Sequence, residues 1–270
     1  MISDSTHKHN FHTHTYRCKH AAGDVGDYCK VAVELGMETL GFSDHSGLPD
    51  NRWPGSRMPY DDVPHYTAAI EQGQRDFPQL TVLKGMECEY IEEFHSYYED
   101  ELLGERGFDY LVGASHVVPI DGQWTGAYEA DWDGHSLRAY ADYTVNMMET
   151  RLFNFIAHPD LFGNCYRTWD ADAQACSRDM LVAAKELGVG MELNALGFRK
   201  QAMQKPDSPF PLYPWMPFWE LAADIGAPMI VNSDAHTPGD LQACAGRAHM
   251  VRVDLGLQQM DLSTLTRRAA

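Results

Sequence analysis

The sequence predicts an α/β fold, a closed or nearly closed barrel of parallel strands connected by helices. Short β-branched or aromatic runs alternate with patterns of helical periodicity, and this alternation is typical of parallel strands joined by helical crossovers. We count seven or eight such units, which favours a barrel over an open sheet. The chain has 270 residues, and one α/β barrel takes about 250. No linker or internal repeat divides the chain, so we interpret residues 1–270 as a single domain.

The predicted elements follow one another in a regular order. The segment 24–35 has apolar residues on one helical face and stops at Gly36, and the segment 171–187 stops at Gly188; both patterns are typical of helices. The same reasoning predicts the remaining elements. Helices are expected at 24–35, 62–77, 136–152, 171–187, 218–225 and 240–245. Strands are expected at 8–11, 39–42, 80–83, 108–112, 154–157, 189–193, 228–232 and 250–253.

The composition excludes several classes of protein. The chain carries 21 Lys and Arg against 39 Asp and Glu, a net charge of −18, which repels nucleic-acid backbones and anionic lipid. We therefore expect neither a nucleic-acid nor a membrane partner. No apolar stretch reaches the roughly 18 residues of a membrane span, and residues 1–15 do not resemble a signal peptide. The six cysteines have no paired spacing, so reduced thiols and a cytoplasmic location are expected.

Residues of the metal-ligand type recur where the predicted strands end. The carboxyl ends of parallel strands meet at one mouth of a barrel, where the active site lies. Taken alone, SDH and SDAH resemble helix N-caps, and HPD resembles a turn. Their recurrence after seven strands favours one shared site instead. The motifs are HTH at 12–14 with His20, SDH at 43–45, ECE at 87–89, SH at 115–116, HPD at 158–160, ELN at 192–194 and SDAH at 233–236.

The spacing and residue types within these motifs predict a metal site. His12 and His14 lie two residues apart on a strand and therefore point to the same side, as do Asp234 and His236. Imidazole and carboxylate together suit zinc, iron or manganese. The set contains no cysteine, which disfavours a structural zinc site and favours a catalytic one with an open position.

The ordered motifs resemble the polymerase-and-histidinol-phosphatase (PHP) superfamily of metal-dependent phosphoesterases over the whole chain. The resemblance implies a distorted seven-stranded barrel with up to three divalent metal ions at its mouth, and it implies that Glu87 bridges two of them. It implies one site with His12, His14 and Asp234, a second with His116 and His158, and a third with His20, His45 and His236. The nine implied ligands are thus His12, His14, His20, His45, Glu87, His116, His158, Asp234 and His236.

Further motifs resemble the bacterial histidinol-phosphate phosphatases within this superfamily. These motifs are HTHTYRCKH, SDHSGLP, GMECEYIEEF and MELNALGFRK. The resemblance implies that Arg199 contacts the phosphate of the substrate, and Arg57 is a second candidate for this role. The segments 118–133 and 206–217 depart from the pattern of the subgroup. We expect both to line the rim of the barrel, where specificity is set.

The predicted function is hydrolysis of a small phosphate monoester, foremost L-histidinol phosphate to L-histidinol and phosphate in histidine biosynthesis. A bound metal lowers the pKa of water from about 16 to about 7 and so provides a hydroxide nucleophile. The planar fork of Arg199 suits phosphate oxygens, and Asp234 is the candidate for proton transfer. The alternatives are a PHP phosphatase for sugar or nucleotide monophosphates, a metal-dependent amide hydrolase that would not need Arg199, and a non-catalytic metal protein.

Glu89 is the candidate contact for the cationic part of histidinol phosphate, with Asp160 and Glu192 as further carboxylates at strand ends. We expect Glu89→Gln to raise KM for a cationic phosphate ester far more than for a neutral one, because only the cationic substrate loses an opposite charge. Steady-state kinetics on both esters measure this difference. An equal change in the two KM values would contradict the assignment.

Overall fold

The computed structural model describes residues 8–128, 131–203 and 212–265. Contacts within the chain group it into two compact units. The first unit contains Met1–Val112, Asn232–Gly246 and Leu262–Ala270, and the second contains Gly113–Val231 and Arg247–Asp261. The single domain inferred for residues 1–270 stays a prediction. In the described part of the chain, no helix is long and apolar enough to cross a membrane, and the six cysteines are free.

Strands and helices alternate along the described residues as predicted. The strands are β1 (His9–Asn10), β2 (Thr39–Phe42), β3 (Thr81–Cys88), β4 (Tyr110–Gly113), β5 (Val117–Ile120), β6 (Gln123–Gly126), β7 (Phe155–Ile156), β8 (Gly190–Asn194) and β9 (Met229–Asn232). The α-helices are α1 (Val25–Glu34), α2 (Val63–Asp76), α3 (Gly134–Glu149), α4 (Ala171–Leu187), α5 (Ala195–Met203), α6 (Met216–Ile225) and α7 (Ala245–Asp254). Seven strands form one sheet in the order β1-β2-β3-β4-β7-β8-β9.

The first unit is built on the parallel pairs β1–β2 and β2–β3. All four residues of β2 are buried, which agrees with its mostly apolar sequence, since strands of parallel sheets are covered on both faces. Tyr110 lies over β2 and β3, and its hydroxyl donates a hydrogen bond of 2.7 Å to the carbonyl of Phe11. Asp24 caps α1 and forms a capping box with Asp27, so this helix begins where the sequence predicts.

The second unit contains the parallel pair β7–β8 and the packed helices α3 and α4. Asp170 caps α4 by accepting hydrogen bonds from two backbone N–H groups. Gly188 ends the helix in the left-handed conformation with a φ of 72°, which glycine adopts without strain. The bounds of α4 therefore match the predicted range 171–187.

Part of the predicted order is wrong, and other elements were not predicted. The range 240–245 overlaps a short 3-10 helix, Pro238–Gln242, and the predicted strand 250–253 lies inside α7. Met250 and Val253 are 48% and 64% exposed, whereas Ala248 is fully buried. A short apolar run fits strand and helix equally well, and here the buried side of the segment has helical spacing. A π-helix at Tyr97–Glu105, helix α5 and the β5–β6 hairpin were not predicted.

The two segments expected at the rim are only partly described. The antiparallel pair β5–β6 occupies most of the range 118–133, of which 129 and 130 lie outside the described residues. Asp121 and Gly122 form its turn with φ values of 50° and 77°. Of the range 206–217, residues 206–211 lie outside the described part, and α6 begins near its end. The rim position of both segments stays a prediction.

We expect Gly41→Ala to destabilise the protein by about 1–3 kcal/mol, the usual cost of overfilling a core. A Cβ atom at Gly41 would overlap the ring and hydroxyl of Tyr110. The matched control is Gly26→Ala in α1, where nothing lies within 4 Å of the added atom and where alanine gains up to about 1 kcal/mol in helix propensity. Urea unfolding of both variants checks this; a Gly41→Ala variant as stable as the wild type would contradict the packing described.

Candidate metal centre

The first motif is held by backbone pairing between the end of β1 and the segment after β9. The N–H of His14 donates a hydrogen bond of 2.9 Å to the carbonyl of Ala235, and Thr13 and Ala235 form a parallel bridge. Two buried asparagines extend this pairing. Asn232 Oδ1 accepts from the N–H of Phe11 at 2.9 Å, and Asn10 Oδ1 accepts from the N–H of residue 233 at 2.7 Å. The HTH and SDAH motifs are therefore fixed against each other by the main chain.

Four side chains of the first unit bring one donor atom each to a common point. His12 Nε2 and His14 Nε2 are 3.0 Å apart. Glu87 Oε2 lies 3.4 Å from each of these two nitrogens. Asp234 Oδ1 lies 3.5 Å from His12 Nε2 and 3.1 Å from His14 Nε2. All four residues are at most 3% exposed.

These distances match the spacing of ligands on a single metal ion. Zinc bonds to nitrogen and oxygen of about 2.0–2.1 Å place two tetrahedral ligands about 3.3 Å apart. Five of the six separations among these four atoms run from 3.0 to 3.5 Å. Two imidazoles and two carboxylates are also a donor set that suits zinc, iron or manganese. The residues present therefore fit a divalent metal ion.

The remaining predicted ligands of the first unit surround this cluster. His45 Nδ1 lies 2.8 Å from Glu87 Oε2. The ring of His14 stacks obliquely against those of His45 and His236, with centroids 4.5 Å away in both cases. The ring of His20 lies 5.3 Å from that of His45 and 5.0 Å from that of His236. Seven of the nine predicted ligands are thus brought together here.

The second unit holds the other two predicted ligands as a pair. His116 Nε2 and His158 Nε2 are 3.1 Å apart, a spacing like that of His12 and His14. Glu192, in the middle of β8, accepts a hydrogen bond of 3.1 Å from the backbone N–H of His158 and one of 2.8 Å from Asn194 Nδ2. The ELN motif therefore braces the loop that carries His158.

The electrostatics of the first unit favour the metal-binding forms of its ligands. Burial lowers the pKa of His14 and His20, and it lowers that of His236 to about 4. Burial by itself would raise the pKa of Asp234, but nearby histidines, His12 foremost, hold it well below its ordinary value. At neutral pH these rings are neutral and this carboxylate is ionised. Those are the protonation states that metal ions require.

The SDH motif at 43–45 braces the site and does not cap a helix. Asp44 accepts hydrogen bonds from the N–H and the hydroxyl of Thr15 at 2.9 and 2.6 Å, and Ser43 Oγ accepts from the N–H of Thr13 at 3.2 Å. The next helical residues begin only at Tyr60, so the N-cap alternative is wrong for this motif. Both side chains hold the HTH segment on either side of His14.

The thiol of Cys18 also lies beside the predicted ligands. The sulfur of Cys18 and ring nitrogens of His14 and His236 lie within 4.8 Å of one another. Cys18 ends the short 3-10 turn that follows the HTH motif. Only the folded backbone brings this thiol to the cluster.

The predicted substrate contacts occupy buried positions. Arg57 Nη1 and Glu89 Oε2 form an ion pair of 2.8 Å, and their side chains are 5% and 1% exposed. Arg57 also lies 5.0 Å from the ring centroid of Trp53. Arg199 is buried on α5, directly after β8. The roles of these three residues in substrate binding stay predictions.

Asp160 of the HPD motif accepts hydrogen bonds from other residues of the protein. Its Oδ2 atom accepts from the backbone N–H of Trp215 at 2.6 Å and from the indole of Trp219 at 2.9 Å. The side chain therefore ties the start of α6 to the loop after β7. Burial raises the pKa of Asp160 to about 7, although the two hydrogen bonds act in the opposite direction.

A parallel α/β fold with histidine and carboxylate donors at its strand ends is typical of metal-dependent hydrolases. A model of the PHP domain family matches residues 10–195. The chain belongs to the PHP domain family, as its motifs predict.

Two relatives of the chain are named as histidinol-phosphatases. It is 30% identical over 240 residues, 85% of this chain and 86% of the relative, to a protein of Deinococcus radiodurans named "Probable histidinol-phosphatase". A protein of Schizosaccharomyces pombe with the same name is 24% identical over 267 residues, 88% of this chain and 81% of the relative. The chain is therefore a histidinol-phosphatase-like member of its family, as the sequence predicts.

A solved structure shares the fold. The histidinol phosphate phosphatase of Lactococcus lactis, determined with zinc, L-histidinol and phosphate, matches with a TM-score of 0.71 at 16% identity. The match covers 94% of this chain and 95% of that one. The predicted fold class, the seven-stranded α/β barrel of the PHP type, is thereby confirmed.

We expect Asp160→Asn to change how folding stability depends on pH. The folded protein keeps a proton on Asp160 up to about pH 7, whereas the unfolded chain releases it near pH 3.8. Wild-type stability therefore falls as the pH rises between these values, by up to about 1.4 kcal/mol per unit. The asparagine variant lacks this contribution, so its stability relative to the wild type should rise with pH and level off above pH 7.

Urea unfolding of the metal-free proteins from pH 4 to 8 measures this difference. Asp142→Asn, at an exposed position of α3, is the matched control and should show no such trend. A stability difference between Asp160→Asn and wild type that stays constant across this range would contradict the assignment.

Proposed function

We propose that the chain hydrolyses L-histidinol phosphate to L-histidinol and phosphate in a reaction that depends on bound divalent metal ions. The observation that carries the proposal is the convergence of His12, His14, Glu87 and Asp234 at the spacing of ligands on one ion. The substrate is supported by the relatives named histidinol-phosphatase and by the Lactococcus enzyme that holds zinc, L-histidinol and phosphate.

We assign up to three ions, of zinc, iron or manganese, to the nine predicted ligands. His12, His14, Glu87 and Asp234 would hold one ion, and His20, His45 and His236 lie around the same cluster. His116 and His158 present a further pair of ring nitrogens in the second unit. Divalent ions bound to such donors lower the pKa of water and neutralise phosphate charge.

The chain supplies charge and orientation beyond the metal ligands. Asp234 stays ionised at neutral pH, so this carboxylate can accept a proton but does not bring one to the reaction. Arg199 offers a guanidinium fork that matches two oxygens of a phosphate group. Burial of this arginine strengthens its interaction with an anion, because screening by water is weaker there.

The Arg57–Glu89 pair lies directly after β3, two residues beyond Glu87. The ion pair with Arg57 keeps the carboxylate of Glu89 in one orientation. A carboxylate fixed in this way can favour a substrate that carries an ammonium or imidazolium group over a neutral ester.

We expect His14→Ala to lower kcat/KM for histidinol phosphate by more than about 100-fold, since even residues that only support metal ligands contribute 10–100-fold. The variant should also bind less metal, because it lacks one of the four converging donors. The control is His65→Ala, which removes a histidine whose side chain is 80% exposed. Phosphate release from zinc- or manganese-loaded proteins, before and after chelation, measures the effect.

The same assay on a panel of monoesters separates the alternatives. The proposal requires a metal-dependent preference for histidinol phosphate, with kcat/KM above about 10⁴ M⁻¹s⁻¹. Stronger turnover of a sugar or nucleotide monophosphate would show that histidinol phosphate is not the preferred substrate, while metal-dependent hydrolysis of a phosphate monoester would still hold. If the metal-loaded protein releases phosphate from none of the esters, phosphatase activity is contradicted. If the Arg199→Ala variant hydrolyses amides, an amide hydrolase is favoured.

A further inference from the structure

Two adjacent tyrosines begin the π-helix Tyr97–Glu105 and contact loops that follow the metal-ligand motifs. Tyr97 is 4% exposed and Tyr98 is fully buried, and their ring centroids are 5.3 Å apart. The next two residues, Glu99 and Asp100, are exposed, so this helix turns both aromatic rings toward the interior. π-Helical segments are rare and frequently lie at functional sites, but neither tyrosine belongs to the proposed metal centre.

The hydroxyl of Tyr98 holds the turn that follows β3. It donates a hydrogen bond of 2.7 Å to the carbonyl of Glu89 and accepts one of 3.2 Å from the N–H of Ile91. A phenolic hydroxyl can donate and accept at the same time, so one side chain serves two backbone groups where the strand has ended. Replacing this hydroxyl with hydrogen would deprive both groups of this partner.

Glu89 is therefore held at its backbone as well as at its carboxylate. Tyr98 bonds to the carbonyl, and Arg57 Nη1 lies 2.8 Å from the carboxylate oxygen Oε2. An ion pair alone would allow the two charged groups to move together. The tyrosine prevents this movement because it ties the backbone of Glu89 to a helix.

The held turn lies beside the metal centre. His45 and Glu87 form a parallel bridge, and the N–H of Ser46 donates a hydrogen bond of 2.9 Å to the carbonyl of Glu87. Arg57 Nη1 lies 3.4 Å from the carbonyl of Ser46. Water screens charges weakly in such a buried place, so a carboxylate acts strongly on a nearby cation and its exact position matters.

We propose that Tyr98 is a positioning residue that determines selection of a cationic substrate. By holding the backbone of residues 89–91, its hydroxyl keeps the carboxylate of Glu89 in the position that favours the ammonium and imidazolium groups of the substrate. The inference rests on the proposed function, in which Glu89 acts on a cationic phosphate ester. It concerns the binding of the alcohol part of that ester and not the hydrolysis step.

Binding of L-histidinol and of inorganic phosphate to the zinc-loaded protein tests the proposal without turnover. We expect Tyr98→Phe to weaken the binding of L-histidinol by about 3–10-fold, the effect of one ordinary hydrogen bond, and to leave phosphate binding unchanged. The matched control is Tyr97→Phe, which removes another buried hydroxyl, one that donates a hydrogen bond of 2.7 Å to the carbonyl of Gly47. This control should leave the ratio of the two dissociation constants unchanged, and calorimetric titration measures both constants.

The same titrations in a Glu89→Gln background show whether Tyr98 acts through Glu89. In that background Tyr98→Phe should cause no further loss of L-histidinol binding, because the charge that it positions is gone. A loss of equal size in both backgrounds would overturn the proposal.

Three further outcomes would also overturn it. These are unchanged L-histidinol binding in Tyr98→Phe, an equal weakening of L-histidinol and phosphate binding, and a wild-type protein that does not bind L-histidinol. Failure of the proposed function is a separate result. A wild type that binds L-histidinol but releases no phosphate from histidinol phosphate would contradict the proposed hydrolysis and leave the binding test valid.

A measurement on the wild type avoids dependence on the folding of the variant. Hydrogen exchange at the amide of Ile91 should be slow in the zinc-loaded protein before any ligand is added, because its hydrogen bond to Tyr98 already exists. An amide at Ile91 that exchanges freely, and is protected only when L-histidinol binds, would contradict a preformed turn and with it the positioning role of Tyr98.

Discussion

The first unit depends on how the negative charge of two buried carboxylates is balanced. Glu87 and Asp234 both approach His12 Nε2 and His14 Nε2 within 3.5 Å, in a place that water barely reaches. Buried carboxylates are costly unless cations or hydrogen-bond donors compensate them. The low pKa of Asp234 shows that the site keeps this carboxylate ionised. A divalent ion at the point where the four donors meet would compensate both charges at once.

The surrounding residues hold the two buried carboxylates and the two histidines in position. Asn10 and Asn232 connect the strand that carries the HTH motif to the segment that carries Asp234. Asp44 fastens the other side of the HTH motif through Thr15. Such supporting contacts orient ligands before the metal binds, so little conformational entropy is lost at that step. The donors are consequently preorganised by the fold.

In the second unit, buried carboxylates also hold neighbouring loops in place through hydrogen bonds. The carboxylate of Glu192 accepts from the backbone N–H of His158, and Asp160 binds two tryptophans at the start of α6. Asp160 follows β7 and Glu192 lies within β8, and the sequence predicts both as substrate contacts. The structure shows them as braces. A carboxylate near a strand end can bind a metal or substrate, or it can hold the backbone of a neighbouring loop. The residues that surround it in space determine which.

The sequence was sufficient to predict most of the fold and the ligand types, because both follow local rules. Helix α4 could be assigned from its caps, and the clustering of histidine and carboxylate side chains in the first unit could be predicted because parallel strand ends converge. The turn at Asp121-Gly122 carried a recognisable hairpin signal, an Asp-Gly pair between strands, but it was missed. Helix α7 was assigned incorrectly because its apolar residues are exposed and its buried face is formed by small alanines.

Contacts between distant segments could not be predicted. The approach of Cys18 to His236 results from backbone hydrogen bonds between two parts of the chain more than 200 positions apart. Nothing near Cys18 in the sequence predicts this approach. The pairing of Arg57 with Glu89 could not be predicted either, because each residue alone resembles a substrate contact.

The central claim is that His12, His14, Glu87 and Asp234 together bind one divalent ion. Anomalous diffraction from crystals of the zinc-loaded protein tests it most directly, since it locates the metal without reference to activity. The account predicts a zinc peak about 2.0–2.2 Å from His12 Nε2, His14 Nε2, Glu87 Oε2 and Asp234 Oδ1. A folded protein with no anomalous peak among these four atoms, or with zinc bound only elsewhere, would contradict it.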